Sequence, residues 1–136
     1  MKNKGRILRI NAKRYPKSCK VYFKGEDNMK EYDKIIRDLV PQVMDEANIG
    51  YEIETVDDAT ALEYLYKKLL EETDELLHDK TIEEVIDVIE VAFAIAEKYG
   101  YDFRMVLYLR EAKRREKGGF KQNIVLKKTF DKSNNQ

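Results

Sequence analysis

Residues 70–100 read LEETDELLHDKTIEEVIDVIEVAFAIAEKYG, and this stretch decides the fold. On a wheel of about 100° per residue, Val85, Ile89, Ala92, Phe93 and Ala96 gather on the side of Ile82. Val88, Val91 and Ile95 widen that arc until the segment is nearly apolar all round. Such a pattern predicts a helix in the middle of a bundle, starting at Thr81 and stopped after Tyr99 by Gly100. Upstream, Asp57 or Asp58 is placed to cap a helix reaching Asp79. Leu62, Leu65, Tyr66, Leu69, Leu70, Leu76 and Leu77 form its apolar stripe. Only two or three residues separate the two helices, so they must be antiparallel neighbours.

Working outward, Tyr32 onward keeps a helical period. A first helix is expected from about Asp33 to Ala47, kinked at Pro41, which removes a backbone donor and clashes with the preceding turn. A short strand or linker covers Tyr51–Val56. Asp102 opens a last helix that carries Met105, Val106, Leu109 and Ala112 and ends at Gly118-Gly119. Residues 120–126 look extended. The expected fold is all-α: an antiparallel bundle of about four helices with short extended segments. Residues 1–28 have no helical stripe and read as a basic N-terminal extension, 29–127 as the helical domain, and 128–136 as a flexible tail.

The 136 residues are 43% hydrophobic and 38% charged, too apolar for a disordered polyelectrolyte and too charged for a membrane protein. No uncharged run exceeds six residues, which leaves no transmembrane span or secretory signal and makes the cytoplasm the expected location. A single cysteine, Cys19, excludes a disulfide framework and a cysteine zinc cluster. The net charge of zero hides a polarity: +8 over residues 1–30, −15 over 31–97 and +7 over 98–136. An acidic middle between basic flanks suits a cation site beside anion-binding groups, or simply solvated helix faces.

Carboxylates stand where burial makes them costly. Glu84 and Asp87 fall inside or at the edge of the apolar arc of the third helix. Glu72 lies between Leu69 and Leu76, with Glu75 one step further round. At about 1.5 Å of rise per residue, Glu75 and Glu84 come level near the turn, and Glu72 and Asp87 come level one tier above. Four such groups repel and raise one another's pKa unless a cation sits among them. An all-oxygen set suits a hard ion, Mg²⁺ ahead of Mn²⁺ or Ca²⁺, and Mg²⁺ brings phosphorylated ligands with it. The structural alternative is a capping box over Thr81–Glu84, with Glu84 bonding the Thr81 amide.

Glu71-Glu72-Thr73-Asp74-Glu75 followed by Glu84-Val85-Ile86-Asp87 resembles the EExxE…ExxD signature of the all-α nucleoside triphosphate pyrophosphohydrolases. That superfamily includes MazG-type enzymes and phosphoribosyl-ATP pyrophosphohydrolase. Tyr32–Pro41 and the basic stretch Arg110–Phe120 are similar to segments of its small phosphoribosyl-ATP pyrophosphohydrolase-like branch. The resemblance covers roughly residues 31–127. It implies Mg²⁺, with Mn²⁺ as a substitute, on Glu72, Glu75, Glu84 and Asp87. It implies a catalytic or buttressing Glu71, and hydrolysis of a nucleotide between its α and β phosphates to a monophosphate and pyrophosphate. Lys34, Arg37, Arg110, Lys113 and Arg114 are the implied substrate-binding cations. The family commonly assembles, so a homo-oligomer is expected, with no membrane partner and no nucleic acid. The rival reading is a non-enzymatic helical protein whose basic flanks contact nucleic acid or a partner and whose acidic hairpin is structural.

Overall fold

The structure, a computed structural model, describes residues 29–134. The extension expected over residues 1–28 lies outside them. The described residues are all-α: four α-helices and one short 3₁₀ turn, with no strand. They fall into two compact units, one ending at Tyr101 and the other beginning at Asp102.

In the first unit, α1 spans Val40–Glu46, α2 Asp58–Asp79 and α3 Ile82–Lys98. The first helix is much shorter than the expected Asp33–Ala47. Pro41 lies in its first turn and starts it instead of kinking it, where the missing amide costs nothing. Residues 33–37 stay irregular, and the side chains of Asp33, Lys34 and Arg37 reach across to α2 and α3. Residues 51–56 form no strand among the described residues. There the Tyr51 hydroxyl donates to Asp45 Oδ2 at 3.1 Å.

The boundaries of α2 and α3 follow the sequence closely. Asp57 caps α2 by accepting from the Thr60 amide at 2.8 Å. Thr81 caps α3 by accepting from the Glu84 amide at 3.4 Å. The chain reverses at Lys80, a left-handed residue with φ 54°. The two helices pack as an antiparallel hairpin. Lys98 at the end of α3 pairs with Asp58 at the start of α2, 2.6 Å apart, and Tyr66 and Tyr99 share a hydroxyl–hydroxyl hydrogen bond of 2.5 Å.

The hairpin buries the expected leucine stripe only in part: Leu65 is buried and Leu62, Leu69 and Leu76 are half-buried. The buried positions of α2 are Ala61, Leu65, Lys68 and Glu72, and those of α3 are Glu84, Asp87 and Val91. Leu70 and Leu77 are exposed. The helix predicted to be buried all round also shows Ile82, Ile86 and Ile89 to solvent, the first of them 65% exposed. A charged stripe can turn inward because its members pair with one another, which removes most of the desolvation cost.

In the second unit, α4 spans Phe103–Lys117, capped by Asp102 accepting from the Met105 amide at 2.9 Å. It ends at Gly118, whose φ of 83° is readily reached only without a Cβ. Residues 120–126 carry no ladder, and a 3₁₀ turn at Lys132–Asn134 interrupts the expected tail.

Candidate metal centre

The spacing 61, 65, 68, 72 keeps one face of α2 turned toward α3, and 84, 87, 91 does the same in return. This register stacks three carboxylates in the hairpin. Glu72 and Glu84 are each 2% exposed and Asp87 is 6% exposed. One oxygen from each lies within 4.8 Å of the others, a span that one cation can bridge. Glu75, half-buried on the next turn of α2, stands beside this trio. Burial first, then the charges of Glu72, Glu84 and Glu71, push its carboxyl above the usual range. Asp87 is raised too, by burial and then by Glu72, although Arg37 pulls the other way.

Cations hold the cluster together. Arg37 Nη1 lies 3.0 Å from Asp87 Oδ1. Lys34 Nζ lies 3.1 Å from Glu71 Oε1. Both come from the irregular segment before α1, which is also tied to α2 by a Tyr64 hydroxyl bond to Asp33. The third cation is Lys68, a residue the sequence reading missed. It is 8% exposed, and its ammonium lies 2.7 Å from Glu72 Oε1 and 3.2 Å from Glu71 Oε1. Burial alone would lower its pKa, but the bonds and charges of Glu72 and Glu71 prevail and leave it raised. The counterpart is Glu71: burial opposes ionisation, yet Lys34 and Lys68 together hold it below the usual range.

The signal for Lys68 was in the sequence. It stands three residues before Glu71 and four before Glu72, on the arc that Leu65 and Glu72 bury. Helical wheels score lysine as surface, so the pattern alone does not single this position out.

Five carboxylates (Glu71, Glu72, Glu75, Glu84, Asp87) and three cations (Lys34, Arg37, Lys68) of the described residues thus share this centre. One observation points to a bound ion. Oε1 of Glu72 is taken by Lys68, while Oε2 is buried and meets no hydrogen-bond donor among the described residues. A buried carboxylate oxygen without a donor is costly, and an ion would satisfy it. The donor set is all oxygen, which suits Mg²⁺, Mn²⁺ or Ca²⁺ over softer metals. The Thr81 half of the capping box is present, its hydroxyl accepting from the Glu84 amide, and one oxygen of the Glu84 side chain also lies in the cluster.

The remaining expected cations, Arg110, Lys113 and Arg114, are exposed on α4 in the second unit. Arg114 is 3.9 Å from Glu111. No helix among the described residues is long and apolar enough to cross a membrane. No family model, curated protein or solved structure matches the chain.

Proposed function

We propose that this chain is a divalent-cation-dependent nucleotide pyrophosphohydrolase, splitting a nucleoside triphosphate between its α and β phosphates. The observation that carries the reading is the trio Glu72, Glu84 and Asp87, nearly fully buried with oxygens within 4.8 Å of one another. Arg37 and Lys68 each pair with one member of the trio, yet Glu72 Oε2 stays buried with no donor among the described residues, a cost that a divalent ion would remove. In this reading Glu72, Glu84 and Asp87 hold Mg²⁺, with Glu75 beside them. When bound, Mg²⁺ neutralises polyphosphate charge and lowers the pKa of a coordinated water.

The chain's own residues supply the rest. Lys34 and Arg37 have side chains 29% and 46% exposed, at the rim, where an anionic phosphate can recruit them from Glu71 and Asp87. Glu71 is kept ionised by two lysines, which makes it a weak general base and a firm hydrogen-bond acceptor. We assign it to orienting the attacking water and anchoring Lys68, not to removing the proton. The same reading includes a cytoplasmic setting and assembly into at least a dimer.

The test is pyrophosphate release from a panel of nucleoside and deoxynucleoside triphosphates. The expected products are monophosphate and pyrophosphate in equal amounts, abolished by EDTA and by Glu72→Gln. A chain that hydrolyses no nucleotide on the panel, or releases only inorganic phosphate, refutes the reading.

A further inference from the structure

We propose that Lys68 is the positioning residue of this centre: its buried ammonium fixes one oxygen of Glu72 and leaves the other free to bind a divalent cation. The inference rests on the metal centre proposed above and concerns a residue which the sequence signature does not assign.

Three features of the geometry carry it. Lys68 is buried, with a side chain 9% exposed, and one ammonium spans Glu71 Oε1 and Glu72 Oε1 at 3.2 and 2.7 Å. The two oxygens of Glu72 are used unequally. Oε1 accepts from Lys68, whereas Oε2 is buried with no donor among the described residues. Glu71 is itself anchored from the other side by Lys34 at 3.1 Å, so Lys34, Glu71, Lys68 and Glu72 form a continuous chain of ion pairs that ends at Oε1 of the ligand carboxylate, opposite the oxygen left for the cation. A carboxylate tethered through one oxygen has lost its rotational freedom before the cation arrives. Outer partners that orient ligands in this way typically govern about 10–100-fold in metal affinity.

Two other roles for Lys68 give different results. If the ammonium merely competed with the cation, removing it would tighten binding. If it only supplied positive charge, arginine would replace it. As a positioning group it must place one compact donor between two oxygens, which a planar guanidinium does not reproduce.

The experiment titrates the full chain with Mn²⁺ and follows the free-ion signal by electron paramagnetic resonance, with circular dichroism as a check on the fold. Wild type is expected to bind Mn²⁺. Lys68→Gln is expected to bind about 10–100-fold more weakly, and Lys68→Arg also more weakly than wild type. Lys68→Gln binding as tightly as wild type, or more tightly, overturns the proposal. So does Lys68→Arg binding as wild type does. Should Lys68→Gln fail to fold, Lys68→Arg decides alone, because it keeps the charge that the buried glutamates need. Wild type that binds no Mn²⁺ refutes the metal centre itself and the role of Lys68 with it, whereas wild-type binding that Lys68 variants leave unchanged refutes only the latter.

Discussion

Asp87→Asn separates a metal ligand from a structural hydrogen-bond acceptor, because the two roles differ before any metal is added. Asp87 is 6% exposed, and its ion-pair partner Arg37, 3.0 Å away, has a side chain 46% exposed. Losing that pair leaves a guanidinium which water can reach, so the cost is that of a surface pair, about 0–1 kcal/mol. In return, the variant removes a negative charge that burial and Glu72 already oppose. In EDTA the variant is therefore expected to melt within about 1 kcal/mol of wild type, or at most about 8 °C. With Mg²⁺ at a hundred times its Kd, wild type should gain about 2.7 kcal/mol. The variant, short of one ligand and one charge, should gain little. Thermal unfolding by circular dichroism, with EDTA and with Mg²⁺, reads all four states. A variant that melts lower by about 1–3 kcal/mol in EDTA, the cost of an unsatisfied buried polar group, and keeps the wild-type Mg²⁺ gain would refute the ligand assignment.

The cap of α2 gives a pH test away from the cluster. Bonds from Thr60 hold the Asp57 carboxyl below its ordinary value. Its contribution is therefore complete above the unfolded carboxylate range and is lost as pH falls through the folded pKa. Asp57→Asn, which caps without charge, should melt near wild type at neutral pH and lose less on acidification below about pH 4; a constant gap between the two would exclude the linkage. The exposed stripe Ile82, Ile86 and Ile89 is expected to be covered by self-association, giving at least a dimer in sedimentation at micromolar concentration. A monomer there would count against it.

Much of the hairpin was legible because local chemistry dictates it. Asp57 and Thr81 are strong caps, Lys80-Thr81 leaves no room for a crossover, and carboxylates at 72, 84 and 87 come level by arithmetic. The first helix was misread because apolar residues at 35, 36, 39, 40 and 43 fit a helical period. Local periodicity does not register that Asp33, Lys34 and Arg37 make tertiary bonds to α2 and α3 instead. The inward face of α2 was misjudged for a related reason. A hydropathy wheel ranks Leu70 and Leu77 above Lys68 and Glu72, and it cannot represent two unfavourable burials that cancel when they meet at 2.7 Å.

That cancellation bears on why the hairpin has a charged centre. Among the described residues, five apolar side chains are buried (Val43, Ile49, Ala61, Leu65 and Val91) beside four charged ones (Lys68, Glu72, Glu84 and Asp87). Well-packed apolar residues in place of buried ion pairs are often as stable or more so, whereas removing one partner of a buried pair costs roughly 3–5 kcal/mol. Packing between α2 and α3 would therefore be met as well by apolar residues at 68, 72, 84 and 87, and stability alone does not call for the charges. One oxygen sharpens the point. A set of ion pairs serving only the fold would best leave no buried oxygen unmet, yet Glu72 Oε2 is buried with no donor among the described residues. A divalent cation would remove that cost, so the feature least useful to folding is the one that supports the proposed metal centre.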